Sequence, residues 1–392
     1  MWHNRAAMKN SKVLWTLVVL SELAVTSMSS AVPPVATQWK MNTTGATGYG
    51  GHVADVTLVR YSTTFVYVTC SGIPSYSIGP WPGSPNTPTN GNWCYKLTLT
   101  PTPATGTGTA VGLGHVGVLL DGTSFFNARD ARSYNNQGIW NQTAWFFERS
   151  SFDSCNGHPS PNREWHPHAL PVCLVGPLNA ARHSPLIGFA FDGYPIYGPY
   201  GYANADGSGG IQRMASSYRT RNITARTTLP NGTQLMPSQY GPAISATYPL
   251  GCYVEDWEFV SGHGQLDQTN GRFCVTPEYP LGTHCYFVSV DASHEPVYPY
   301  ILGSTYKGVV TAGNTGPNGG HNNPGTGETV TTLTGGPCPA DLDGSRLVDA
   351  QDIALLLANW GDHGGAGDIS RDGVVAGDDL ASLLSAWGSC SN

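Results

Sequence analysis

Between residues 32 and 310 the apolar positions recur with a period of two or as short β-branched runs, and no stretch carries a helical stripe. The runs cover 53–61, 65–70, 93–100, 115–120, 186–191 and 286–290. Turn-forming clusters separate them, for example 79–92 and Asp121-Gly122. Short alternating runs bounded by turn residues predict strands, and this many predict a mainly β domain, sandwich-like or barrel-like, over 32–310.

Near the C-terminus the period changes. The segment 341–361 (DLDGSRLVDAQDIALLLANWG) aligns with 368–388 (DISRDGVVAGDDLASLLSAWG) at a constant offset of 27 residues. Ile353, Leu356, Leu357 and Trp360 follow the i, i+3, i+4, i+7 spacing, and so do Leu380, Leu383, Leu384 and Trp387. The pattern predicts a small all-α module over 338–392, built of two loop–helix repeats whose stripes bury each other. Cys338 and Cys390 bracket it; joining them would stabilise so small a unit by about 4 kcal/mol in the chain-entropy picture. Residues 311–337 are rich in Gly, Asn and Thr and read as a linker.

The first 31 residues have the layout of a signal peptide. Arg5, Lys9 and Lys12 precede an apolar run at 13–25, and Ser29-Ser30-Ala31 offers small residues for cleavage. The expected location is secreted or extracellular, or periplasmic. No later run is long and apolar enough to span a bilayer. Charged residues make up 11% of the chain and the net charge is −7, which argues against nucleic acid and against anionic membranes as partners. Nine cysteines suit an oxidising compartment. Cys70–Cys94 and Cys155–Cys173 are neighbouring candidate pairs, and Cys252, Cys274 and Cys285 leave one thiol over.

Candidate chemistry concentrates in 153–173, DSCNGHPSPNREWHPHALPVC. Proline in Trp165-His166-Pro167-His168 forbids a helix and favours extended backbone. Extended backbone would set His166 and His168 on one face, roughly 7 Å apart at Cα. An isolated His-X-His is more often a pair of hydrogen-bonded surface residues. Here His158 lies eight residues upstream and Asp153 precedes it, so the set His158, His166, His168 and Asp153 is a candidate site for zinc or copper. His183, Asp192 and Asp267 are possible further ligands or orienting groups. Asp192-Gly193 also reads as a simple hairpin turn.

The repeat offers a second site. Asp341, Asp343, Ser345, Asp349 and Asp352 fall at places 1, 3, 5, 9 and 12 of a twelve-residue loop, with the Leu347 carbonyl at place 7. The second loop offers Asp368, Ser370, Asp372, the Val374 carbonyl and Asp379. Alternating oxygen donors of this kind suit calcium. The plainer reading is a pair of N-capped helices with acidic turns.

This repeat resembles the dockerin family, which implies calcium-dependent docking to a cohesin-like protein or a cell-surface scaffold. Arg346 stands at the sixth place of loop one, where glycine is usual, and Ala376 removes an oxygen from loop two. The larger domain, over about 74–308, resembles the family named for a Tyr-His-Tyr-His motif. The resemblance rests on Trp165-His166-Pro167-His168, GFAFDGYPIYGP at 188–199, Glu255-Asp256-Trp257, LDQTNGR at 266–272, TPEYPLGT at 276–283 and YILG at 300–303. It implies a domain and not a reaction.

Two functions follow. One is a secreted protein with a His-rich metal or ligand site in a β domain and a calcium-dependent docking module. The other is a secreted metal-dependent hydrolase or oxidoreductase acting on polysaccharide, tethered by the same module. The many Trp and Tyr residues would suit carbohydrate as a partner, although in a β domain they are more often core.

Overall fold

The structure is a computed structural model that describes residues 32–390 apart from 317–318, 334–336, 344, 346 and 366. The expected signal peptide and Arg346 lie outside the described residues. The strands that matter here are β1 (Val56–Tyr61), β2 (Phe65–Cys70), β3 (Trp93–Thr98), β4 (His115–Leu119), β5 (Ser124–Phe126), β6 (Gly157–Pro159), β7 (Trp165–Pro167), β8 (Leu186–Ala190), β9 (Pro195–Tyr197), β10 (Gly271–Thr276), β11 (Tyr279–Phe287) and β12 (Thr331–Thr332). One sheet has the order β12-β1-β2-β3 and a second β10-β11-β9-β8-β4-β5. Only β9 and β11 pair in parallel within them; the other neighbours are antiparallel.

Strands β4, β8 and β9 are buried at every position, because both faces of the larger sheet are covered. That is why they read as continuous apolar runs rather than as alternation. Val59, Val66, Val68 and Leu97 of the smaller sheet share one core with Val118, Phe189, Ile196 and Tyr286 of the larger. The domain is therefore mainly β, with two sheets over a common core. Helices within it are single turns such as Ala144–Phe147 and Val172–Val175. The Asp192-Gly193 turn joins β8 to β9, with Gly193 at φ 87°.

Residues 271–287 form a hairpin that the apolar pattern shows only from Tyr286 onward. Its turn is Thr276–Tyr279, and Pro280 and Gly282 interrupt β11. Residues that normally break strands hid this one.

The described parts of the stretch expected as a linker lie along the smaller sheet. The Asn314 side-chain amide takes the place of a peptide group, accepting from Lys96 N (2.9 Å) and donating to Lys96 O (2.5 Å). Asn322 N donates to Cys94 O (2.9 Å), His321 stacks on Trp93, and β12 pairs with β1. A segment that buries little apolar surface is held here by backbone-like hydrogen bonds to open strand edges.

Cys155–Cys173 and Cys338–Cys390 are disulfide-bonded. Cys70 and Cys94 are not. Cys70 lies opposite Trp93, so Cys94, one residue on, points to the other face of the sheet. Cys70 Sγ donates instead to Gly122 O (3.0 Å).

In the C-terminal repeat α1 (Ala350–Ala358) and α2 (Gly377–Ser385) each follow an acidic loop. Leu356 and Leu383 are fully buried with Val348 and Val375. Leu357, Trp360, Leu384 and Trp387 remain about half exposed, contrary to the expectation that whole stripes bury each other. The helices have nine residues, and both tryptophans fall beyond the helix ends, so the shared strip is narrower than the stripe.

The strand-poor segment around 221–256 depends on one buried ion pair. Arg226 donates through Nε (2.8 Å) and Nη2 (2.7 Å) to the two oxygens of Asp256, and through Nη1 to Pro242 O (2.9 Å). Both side chains are fully buried. Removing one partner would strand the other charge, so Arg226→Ala is expected to lower the unfolding free energy by about 3–5 kcal/mol. Denaturant unfolding checks this; a loss below about 1 kcal/mol would refute it.

Candidate metal centre

The central stretch folds as a two-stranded ribbon. In it His158 of β6 lies directly opposite His166 of β7, and Pro159 opposite Trp165. Directly paired residues share a face, and His168 follows His166 at the next in-phase position. All three imidazoles therefore meet on one side. Their ligand nitrogens lie within 4.8 Å of one another, and all three residues are buried.

Each ring is fixed through Nδ1. His166 Nδ1 donates to Glu164 O (3.1 Å) and His168 Nδ1 to Asn127 O (2.6 Å). Ser151 Oγ donates to Glu148 O (2.7 Å) and accepts from His158 Nδ1 (2.8 Å). A carbonyl only accepts, so the proton of His166 and of His168 sits on Nδ1 and each Nε2 presents a lone pair. The Nε2 atoms of His166 and His168 are 3.1 Å apart. Two lone pairs at that distance repel unless a cation stands between them. Phe126 at the edge of the larger sheet stacks on His166 with ring centroids 3.6 Å apart, which fixes the ring plane.

Glu148, at the end of the turn Ala144–Phe147, brings a carboxylate beside two of the three histidines. Its Oε2 lies 3.3 Å from His168 Nε2 and 3.9 Å from His158 Nε2. Among the described residues Glu148 Oε2 and His158 Nε2 have no hydrogen-bond partner, although both atoms are buried. Burial pushes the Glu148 carboxyl up to about 7, helped by the Asp130 charge. Burial likewise lowers His158 to about 4 and His168 to about 3, and holds His166 well below its ordinary value. A low-dielectric pocket produces both shifts, Arg132 offsetting only part of that at Glu148, and a divalent cation would reverse both.

Asp153 is not part of this group. Its Oδ1 accepts from Cys155 N (2.9 Å) and Gly157 N (3.1 Å). Its Oδ2 accepts from Gly79 N (2.8 Å), Trp81 Nε1 (2.9 Å) and Trp165 Nε1 (2.9 Å). Five donors saturate the carboxylate, which holds the loop and not an ion. His183 lies elsewhere, against Tyr197 and Tyr202. Asp192 accepts from Tyr286 Oη (2.7 Å) and Gly308 N (2.8 Å), and Asp267 caps its own turn at Thr269. Glu148 carried no signal in the sequence, since it ends an apolar run ten residues before His158. The remaining glutamates of the domain are engaged: Glu164 with His115 and Ser124, Glu255 with Asn141, Glu258 with Arg219, Glu278 with Arg371 and Glu295 with Arg149.

In the C-terminal loops the carboxylates of Asp341, Asp343 and Asp352 converge within 4.8 Å. Asp349 caps α1 through Gln351 N (2.7 Å), and Ser345 Oγ donates to Leu347 O (3.2 Å). In the second loop Asp368 accepts from Asp372 N and Gly373 N (3.0 Å each), Asp372 from Val374 N (3.0 Å) and Asp379 from Ser370 N (2.7 Å). Gly373, at the sixth place, has φ 99°, where a side chain would be strained.

Residues 94–299, more than half of the chain, match the family described as YHYH protein. The chain belongs to the YHYH family. The converging histidines of this YHYH chain lie inside the matched region, in the stretch where Trp165 and Pro167 stand beside them. The match does not reach residues 338–392, where the likeness to dockerins rests on the sequence pattern alone. No curated protein and no solved structure matches the chain.

Asp153→Asn places an N–H donor among five donors. It is expected to cost about 2–3 kcal/mol of stability and to leave bound transition metal unchanged. Thermal unfolding and metal counting on one preparation separate the two effects; loss of metal at full stability would return Asp153 to the ligand set.

Proposed function

We propose that the β domain is a metal-binding domain holding zinc or copper on His158, His166 and His168, with Glu148 as fourth ligand. The observation that carries this reading is the 3.1 Å approach of two Nε2 lone pairs whose Nδ1 protons are committed to carbonyls. A tetrahedral ion with donors at about 2.0–2.1 Å spaces them about 3.3 Å apart. The separations of 3.1 Å between His166 and His168 and 3.3 Å between His168 and Glu148 agree with that spacing, and Glu148 stands farther from His158, at 3.9 Å. Imidazole and carboxylate together suit zinc or copper(II) better than calcium or magnesium. With Glu148 as fourth ligand the coordination sphere would be closed by protein, which supports a binding or structural centre over a hydrolase or oxidoreductase acting on polysaccharide.

The C-terminal repeat is read as a calcium-binding, dockerin-like module. The convergence of Asp341, Asp343 and Asp352 and the left-handed Gly373 support this reading. On that reading the chain is secreted, with residues 1–31 as signal peptide, and is tethered through the repeat to a cohesin-like protein or cell-surface scaffold. Carbohydrate as a partner has less support, because Trp39, Trp140 and Trp165 are core residues.

Mass spectrometry of the full chain after zinc or copper loading and desalting is expected to give about one transition-metal ion per chain. The His166→Ala/His168→Ala double variant should hold none. Glu148→Gln, which keeps the shape and removes the charge, should weaken binding roughly 10- to 100-fold. A folded chain that takes up neither metal would sink the proposal.

A further inference from the structure

We infer that the second calcium loop is an intramolecular clasp: it seats the C-terminal repeat on the chain's own β domain, and calcium in that loop tightens the seat. The inference rests on the calcium reading given above and adds a coupling that reading does not require.

The clasp is built from closely spaced loop residues. Asp368, the first place of the loop, accepts from Tyr202 Oη through Oδ2 (2.6 Å). Ser370 O accepts from Arg182 Nη1 (2.9 Å). Arg371 O accepts from His183 N (2.6 Å), and the Arg371 guanidinium pairs with Glu278. Arg371 adopts φ 64°, a conformation a long side chain rarely takes, and there it meets a carboxylate only 7% exposed. Glu278 is also held by Tyr197 Oη (2.9 Å). Residues from three separate parts of the β domain (Arg182 and His183, Tyr202, Glu278) thus grip three loop residues.

The same residues face the expected ion. Asp368 is fully buried, and Tyr202 fixes its carboxylate as a neutral donor without cancelling its charge. Ser370, at the third place, is buried, and its Oγ has no partner among the described residues. An unsatisfied buried hydroxyl at a ligand position is what an ion would complete. Ordering of the loop by the β domain therefore favours the ion. By linkage the ion strengthens the seat by the same factor.

Calorimetric calcium titration of the chelator-stripped full chain is the test, with Tyr202→Phe and Glu278→Gln beside it. The wild type should take up two calcium ions. Tyr202→Phe loses one hydrogen bond to a charged group and should weaken one of the two sites roughly tenfold while sparing the other. Hydrogen exchange read by mass spectrometry on the wild type should show amide protection rising on calcium addition in residues 200–202 and 278–279. Two sites of unchanged affinity in both variants, or exchange in those segments indifferent to calcium, would overturn the clasp and leave the calcium reading standing. Absence of calcium uptake by the wild type would overturn both. The exchange measurement needs no variant, so misfolding of a substituted chain does not shelter the idea.

Discussion

Three Nδ1 hydrogen bonds decide what the histidine site can be. Each imidazole spends its single proton on an oxygen the fold has fixed: Ser151 Oγ, Glu164 O or Asn127 O. The other nitrogen of each ring is left as an acceptor, and the ribbon register points all three inward. Unsatisfied buried acceptors cost about 1–3 kcal/mol each, and lone pairs facing one another add repulsion. An arrangement of this kind persists only if the surrounding structure imposes it, and the surroundings do so. Phe126 clamps one ring, the Cys155–Cys173 bond closes the loop, and Asp153 ties the ribbon to Gly79, Trp81 and Trp165.

The β domain supplies that rigidity through its edges as much as its core. Strand β5 ends the larger sheet, and the residues that position the histidine cluster, Phe126 and Asn127, lie at its end. On the smaller sheet, Asn314, His321, Asn322 and residues 331–333 lie along the borders of β1 and β3. Polar segments are thus ordered by pairing with strand edges, and a site built beside an edge inherits the stiffness of the whole sheet.

How much of this the chain displays depends on the range of the interaction. The period-two pattern gave β1 to β4 and β8 to within a few residues, because burial on a sheet face follows sequence position directly. His166 and His168 were legible for the same reason, since His-Pro-His in extended backbone must put both rings on one side. Glu148 was not legible, because its place in the site comes from a turn that folds back from outside the ribbon. The β10–β11 hairpin was hidden by Pro280 and Gly282. The Cys70–Cys94 pairing failed on register: sequence proximity suggested a bond that a shift of one residue forbids. The charged network of Arg226 and Asp256 joins residues 30 apart and left no local trace.

Two carboxylates near the histidines show why counting acidic residues cannot identify ligands. Asp153 and Glu148 are both close to His158 in the chain, and both are acids in a largely buried environment. Asp153 accepts from five donors and has no free lone pair facing the ribbon's histidine side that the fold has not already used. Glu148 Oε2 accepts from none among the described residues and is driven toward its protonated form by burial. A saturated carboxylate gains little from an ion, because coordination would displace hydrogen bonds already made. A starved one gains the whole of its missing solvation. The relevant property is the supply of donors around each acid, which only the tertiary structure sets.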